Sequence, residues 1–216
     1  NINIQTGQPT ILDFDMQRIS QRINIVFNIR TEGNIKREDL AAPIIELSGA
    51  CGRFNIADAC LDTTRLYRMA HQVQPDEFTQ TGEGTYRCVV HFHTLGVIPS
   101  AAKGHLNGPG ILQVALQVST PQLDSSGTPV VDEEGNPVKN SRYIYGAINP
   151  YDELTAAQLI EVRDGKIYLR YSKEDVNIEI TTPLVIKADQ IVPNDTGMGW
   201  QPHDPTNPDD DIIIEI

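Results

Sequence analysis

The chain has 216 residues, of which 39% are apolar and 21% charged, and it contains 16 Gly and 14 Pro. This composition predicts one large or two small domains with a hydrophobic core, and it excludes collagen, a coiled coil and a wholly disordered chain. The formal net charge of −12 repels phosphate backbones, so nucleic acid is not an expected partner. No apolar run is long enough for a transmembrane helix.

Alternation of apolar and polar residues predicts that most of the chain is β-strand. In residues 19–29, five apolar side chains share one parity: Ile19, Ile23, Ile25, Phe27 and Ile29. Further strands are expected at 11–16, 44–48, 64–69, 85–95, 110–119, 142–147, 166–171, 176–180, 184–188 and 212–216. Many short strands separated by turn residues predict an all-β fold, an antiparallel β-sandwich of Greek-key or transthyretin-like type.

Helix is expected only as two short pieces. Residues 152–160 predict a helix capped by Asp152 or Thr155, and residues 37–41 predict a single turn. Asp164-Gly165 separates two apolar runs, which is typical of a β-hairpin with a two-residue loop.

Two polar segments set the domain organisation. Residues 121–141 predict a long surface loop with its tip at 132–136. Residues 193–211 contain four prolines, which predicts an extended acidic connector. We therefore expect a sandwich domain over 1–192 and a connector with a terminal strand over 193–216.

The terminal segment is strongly β-prone because of four isoleucines: Ile212, Ile213, Ile214 and Ile216. One hypothesis is that this strand closes its own sheet. The other is donation to another subunit by strand addition, in which main-chain hydrogen bonds give affinity and alternate side chains fill pockets. The three aspartates at 209–211 would then oppose uncontrolled association.

No grouping of residues predicts catalysis. The chain lacks a Gly-x-Ser-x-Gly motif, a phosphate loop and a dinucleotide-binding motif. His91 and His93 share one face of a strand at a spacing that can ligate a metal, but no third ligand lies close in sequence. We therefore expect no enzyme activity, no cofactor and no bound metal.

Three cysteines are too few for a disulfide framework. Cys51 and Cys60 would pair in an oxidising compartment. The alternative is that both, together with Cys88, are buried thiols. Cys51 follows small residues at the end of a strand, which indicates a tight bend rather than an activated thiolate.

Few aromatic side chains are placed for binding. Tyr143 and Tyr145 share one parity, as a carbohydrate-binding face would require, although aromatic residues in a sheet are usually core. Trp200 lies in a Gly-rich polar loop, where it would either cap one end of the sandwich or be exposed for a partner.

Several segments occur in a characteristic order. A strand at 19–30 precedes residues 45–56, which contain Leu47-Ser48-Gly49, and strands at 86–96 and 112–118 follow. The chain closes with Gly197-Met198-Gly199-Trp200, an acidic run and an apolar strand. This series resembles the carboxy-terminal domain of the fimbrillin-type proteins of Bacteroidales, the anchor and accessory subunits of type V pili.

The resemblance implies a non-catalytic structural protein of the cell surface, namely a fimbrial anchor or accessory subunit that is exported to the outer membrane. It implies other pilus or surface subunits as partners through strand addition, and membrane contact only through a lipid anchor upstream of this chain. Two alternatives stay open: a virion or phage-tail structural protein, and a secreted carbohydrate-binding module.

Overall fold

A computed structural model describes residues 18–33, 35–170 and 175–203. Helical structure in this part of the chain consists of a 3₁₀ turn at Arg37–Asp39 and one helix, α1, at Tyr151–Ala157. The strands are β1 (Gln21–Glu32), β2 (Ile44–Asn55), β3 (Cys60–Gln72), β4 (Phe78–Gly82), β5 (Thr85–Thr94), β6 (Leu112–Pro121), β7 (Lys139–Ile148), β8 (Ile160–Arg163), β9 (Lys166–Leu169), β10 (Asp175–Lys187), β11 (Gln190–Val192) and β12 (Gln201–Pro202).

The strands form two sheets that enclose one core, so the predicted all-β sandwich is confirmed. The smaller sheet has the order β11-β10-β1-β5-β4, and the larger sheet has the order β12-β7-β6-β2-β3-β9-β8. The core draws on both sheets, because alternate residues of β1 and β5 face alternate residues of β2, β6 and β7.

One strand pair departs from the expected antiparallel arrangement. β1 runs antiparallel to β5 but parallel to β10, whereas the other ladders between described strands are antiparallel. A parallel pair cannot be joined by a tight turn and needs a long crossover. Here the chain builds most of the larger sheet between β1 and β10, which supplies that crossover.

β1 is the central strand of the smaller sheet. Its inward residues Ile23, Ile25, Phe27 and Ile29 have no exposed surface, and each contributes roughly 1.5–3 kcal/mol by burial. Ile19 shares their parity but is 43% exposed, because it precedes the first residue of the strand.

Several strands differ from their predicted limits. Those expected at 44–48, 64–69, 85–95, 110–119, 142–147 and 166–171 overlap β2, β3, β5, β6, β7 and β9. The segments 176–180 and 184–188 form one strand, β10, with an irregularity between Ile180 and Leu184 where the register against β1 shifts. The strands expected at 11–16 and 212–216 lie outside the described residues.

The helix is shorter than predicted and begins earlier. α1 follows Pro150, and Asp152 lies in its first turn instead of capping it. The helix ends where Gln158 adopts a left-handed conformation, with φ of 50°. Ile160 then starts β8, and the hairpin to β9 turns at Asp164-Gly165, which confirms the predicted two-residue loop.

The predicted loop at 121–141 is shorter and more ordered than expected, because β6 and β7 pair as far as Pro121 and Lys139. Residues 123–130 and 131–138 repeat one pattern, an apolar residue, Asp, two residues, Gly, one residue, Pro and Val. We predicted a surface loop here and did not predict this repeat. Main-chain bonds of 2.8 Å from Val130 to Gln122, from Val138 to Val130 and from Gln122 to Val138 close a ring that joins both units.

The sandwich continues beyond residue 192, where the connector was expected to begin. Trp200 is 1% exposed, its ring lies 5.2 Å from that of Phe27, and its Nε1–H donates to the Thr182 carbonyl. β12 then pairs with β7. Trp200 therefore caps the sandwich and is not exposed for a partner, and the domain includes residues 193–203.

We expect Trp200→Ala to lower the free energy of unfolding by about 3–5 kcal/mol, because it leaves a cavity and removes a bond to a buried carbonyl. Urea denaturation measures this change. The control is Met198→Ala, since Met198 is 50% exposed in the same loop and should change stability by less than about 0.5 kcal/mol. Equal effects of both substitutions would contradict the burial of Trp200.

Gly49, in the segment Leu47-Ser48-Gly49, has φ of +85°, and a Cβ there would lie 2.6 Å from the Ile98 carbonyl oxygen. Gly33 has φ of +88° but open space around it. We expect Gly33→Ala to cost about 1 kcal/mol, from backbone strain alone. Gly49→Ala adds a backbone clash and is expected to cost about 3 kcal/mol or more. Denaturant unfolding of both variants compares them, and similar costs would contradict the close approach at Gly49.

Candidate functional site

The candidate site is the outer edge of β10, which we call the open edge and define as residues 175–180. β1 pairs with one side of β10 along its length, but β11 pairs with the other side only at residues 185–187. No strand in the described part of the chain pairs with the open edge. The main-chain groups along it are thus available to a further strand.

Other edge strands offer less unpaired main chain beside the core. β4, β8, β11 and β12 are short, with 5, 4, 3 and 2 residues, and short edge strands resist unwanted pairing. β3 is long and meets β9 only at Leu61. However, its residues beyond Leu61 are exposed or half-buried and include Arg65 and Arg68, so a strand added there would extend no core.

A strand added at the open edge would extend the core. Its inward side chains Val176, Ile178 and Ile180 belong to the main hydrophobic cluster and are at most 7% exposed. Its outward side chains, among them Asp175, are exposed. A strand paired at this edge would bury alternate side chains beside the core and leave the others in solvent.

α1 forms the far wall of a groove along the open edge. The groove is lined by Glu153, Ala156 and Ala157 of the helix and by residues 175–179 of β10. Leu154 anchors the helix in the core. The small alanine side chains keep the helix from filling the space beside the strand, so the groove stays wide.

The groove ends near Ile180 of β10, and its lining carries negative charge. Beyond Ile180 the Trp200 Nε1–H donates to the Thr182 carbonyl, and β11 pairs with the outer side of β10 from Val185 onward. Glu153 and Glu179 line the groove, and both are acidic. A segment that enters it therefore meets about six residues of strand and an excess of negative charge.

The predicted terminal strand lies outside the described residues, and so do Ile212, Ile213, Ile214 and Ile216. The structure places Cys51 opposite Leu66 and Cys60 opposite Asn55 in the ladder of β2 and β3. Along β2, four residues separate Cys51 from the position opposite Cys60, roughly 13 Å, so the structure does not bring the two sulfurs together.

All three cysteines are free and buried. Burial raises the pKa of the Cys51 thiol to about 11 and that of Cys88 to about 12. A thiol with so high a pKa is protonated at neutral pH and is a poor nucleophile. These side chains act as small apolar groups of the core.

His91 belongs to a polar cluster that ties β1 and β5 to the crossover after β3. His71 Nε2–H donates to Glu77 Oε2 at 2.8 Å, and His91 Nε2 lies 3.7 Å from Glu77 Oε1. His91 Nδ1–H donates to Asn24 Oδ1 at 2.7 Å. His93 is exposed and makes no hydrogen bond to this cluster. Sequence reasoning missed Glu77 as the partner because 14 residues separate it from His91.

Burial and neighbouring groups shift the pKa values of Glu77 and His91 in this cluster. Burial acts to raise the pKa of Glu77, but the Gln74 N–H and the His71 ring outweigh burial and lower it. Burial, together with the charge of Arg22, lowers the pKa of His91. Within the described ranges no three His, Cys, Asp or Glu side chains are grouped to hold a metal ion.

No helix in the described part of the chain is long and apolar enough to cross a membrane. Comparison of the whole chain with protein-family models finds no match, and neither the curated proteins nor the solved structures contain one.

We expect Glu77→Gln to lower the free energy of unfolding at pH 7 by about 1.5–3 kcal/mol, the typical contribution of a hydrogen bond to a charged group. A carboxyl whose folded pKa is lowered stabilises the fold above its unfolded pKa and loses that effect as pH falls through the folded value. The difference between wild type and variant should therefore shrink steadily as the pH falls below 4.5, the ordinary pKa of a glutamate, as measured by urea denaturation across pH. Glu83→Gln, in the exposed turn between β4 and β5, is the control, and a difference that persists in acid would contradict the assignment.

Proposed function

We propose that this chain is a non-catalytic structural protein of the cell surface that assembles with other subunits through strand addition at the open edge of β10. The observation that carries the proposal is the unpaired stretch 175–180, whose inward side chains belong to the core. A long edge of this kind is normally a liability, and its retention beside a groove indicates a use.

The segment that fits this edge by its chemistry is the terminal strand 212–216. It has five residues, against six in the open edge. Ile212, Ile214 and Ile216 share one parity and would extend the core, while Glu215 has the opposite parity and would face solvent. We propose that this segment is donated to the edge of a neighbouring subunit.

Charge explains how uncontrolled association is limited. The aspartates at 209–211 precede the proposed donor strand, and Glu153 and Glu179 line the groove that would receive it. These like charges repel at low ionic strength, and salt screens them. Assembly should therefore strengthen as salt is added.

The proposed biological setting is a fimbrium on the outer membrane, with other pilus or surface subunits as partners. Its support is the resemblance to fimbrillin-type anchor and accessory subunits around Leu47-Ser48-Gly49, together with a sandwich that has an open edge. A virion or phage-tail structural protein would use the same kind of contact. Copurification with a pilus or with a particle distinguishes these two settings.

The test compares four chains by light scattering coupled to size-exclusion chromatography: the full chain, a deletion of 212–216, Ala156→Trp and Thr155→Trp. Ala156 lines the groove, whereas Thr155 is exposed on the same helix and does not line it. We expect the full chain and Thr155→Trp to associate. The deletion and Ala156→Trp should be folded monomers, because one lacks the donor and the other has a blocked edge.

Other results would contradict the proposal in distinct ways. Association by Ala156→Trp would exclude the open edge as the receiving site. Association by the deleted chain would exclude 212–216 as the donor. Loss of cooperative unfolding in the deleted chain would show that the strand closes its own sheet instead.

A further inference from the structure

A groove lies on the solvent face of the larger sheet, whereas the open edge belongs to the smaller sheet. Its volume is about 160 Å³, and the side chains that line it come from β2, β3, β6, β7 and the residue after β12: Ile44, Glu46, Arg68, Gln113, Tyr145 and His203. We call it the tyrosine groove. Strand assembly does not involve these residues, so this site is independent of the proposed function.

The small side chain of Ala115 creates the low floor of the tyrosine groove, and Tyr145 forms one of its walls. Ala115 lies opposite Tyr145 in the ladder of β6 and β7 and opposite Ile44 in the ladder of β2 and β6. Because Ala115 has no side chain beyond Cβ, the face between Tyr145 and Ile44 is left low. Tyr143 stacks on Tyr145 with ring centroids 6.2 Å apart and planes at 25°.

Tyr143 flanks the Tyr145 ring on one side of the groove wall. In the register, Tyr143 lies opposite Gln117, on the side of Tyr145 away from Gln113. One side of the Tyr145 ring is thus taken by Tyr143, and the other lines the groove. Tyr143 itself is 51% exposed, so the pair is not part of the core.

The rest of the groove carries planar polar groups in fixed positions. Arg68 Nη1–H donates to Glu46 Oε2 at 3.2 Å. Gln113 Nε2 lies 2.9 Å from His203 Nε2, and Gln113 is only 7% exposed. The main-chain N–H of His203 donates to the Tyr145 carbonyl, which holds the imidazole beside the aromatic wall.

We infer that the tyrosine groove binds a neutral pyranose ring of a glycan. An aromatic ring that lines a groove offers a flat apolar surface to the C–H face of a sugar, while carboxylate, guanidinium and amide groups offer both acceptors and donors to hydroxyls. The Glu46–Arg68 pair cancels its own charge, which favours a neutral ligand over a charged one. The small volume fits a single ring, whereas larger ligands need pockets of about 300 Å³ or more.

The test is saturation-transfer-difference NMR of the full chain with methyl β-D-glucopyranoside and methyl β-D-galactopyranoside, with the acyclic polyol mannitol as the control probe. We expect transfer to the ring protons of at least one pyranoside, with a dissociation constant on the order of 1 mM. Mannitol should receive none, because it has hydroxyls but no rigid ring face.

Variants locate the binding. Tyr145→Ala should weaken binding about tenfold, and Tyr145→Phe, which retains the ring, should stay within about threefold of wild type. Tyr67→Ala is the matched control, because Tyr67 is exposed on β3 and does not line the groove. If Tyr145→Ala fails to unfold cooperatively, Arg68→Met removes the rim donor from an exposed position and should also weaken binding about tenfold.

Three results would overturn the inference. The first is no transfer to either pyranoside at about 10 mM, ten times the expected dissociation constant. The second is transfer to mannitol equal to that of the pyranosides. The third is unchanged binding by a folded Tyr145→Ala or Arg68→Met. Failure of strand assembly would leave this result unaffected, since the two sites lie on different sheets.

Discussion

The parallel pairing of β1 with β10 is the constraint on which the rest of the structure depends. β1 is central in the smaller sheet and pairs with β5 on one side. Its other side must be covered by a strand that arrives after a long crossover, because a tight turn cannot join parallel strands. The chain therefore completes most of the larger sheet before β10 arrives.

This order explains where the fold is open. Little described chain remains after β10 to cover its outer side: β11 covers three residues, and Trp200 closes the irregular segment near Thr182. The stretch 175–180 keeps unpaired main-chain groups beside a complete core. α1 stands next to it without pairing, because a helix satisfies its own main-chain bonds and offers none to a strand edge.

The two proposed sites use different physics. The open edge offers main-chain hydrogen bonds and a continuation of the core, which suit another length of protein. The tyrosine groove offers one aromatic wall and fixed polar groups, which suit a small polar ring. A surface subunit that uses both would assemble through one sheet and contact a glycan through the other.

Sequence patterns were sufficient where one face of a strand is buried. The alternation in Ile23, Ile25, Phe27 and Ile29 marks β1 because the pleat places every second side chain in the core. Asp164-Gly165 marks its hairpin because both residues have positive φ, 50° and 74°, as a tight turn between twisted strands requires. β4, β11 and β12 were missed because short edge strands carry little alternation.

Sites were harder to predict than strands, since each joins residues remote in sequence. Glu77 meets His91 through the crossover after β3, and Gln113 meets His203 across 90 residues. Tyr143 and Tyr145 were visible as a pair, but their use depends on Ala115 and Ile44 beside them. Trp200 lies in a polar loop, and only its contact with Phe27 shows that it is core.

The sequence by itself determined that the chain is an all-β sandwich, because hydrophobic periodicity is a local property that the pleat converts directly into buried faces. It also determined the tight turn at Asp164-Gly165. Only the tertiary structure decided which edges stay open and which surface residues meet, because strand order and direction arise from contacts between segments far apart in the chain. β10 pairs in parallel with β1 as a result of such long-range contacts. The open edge follows from that pairing.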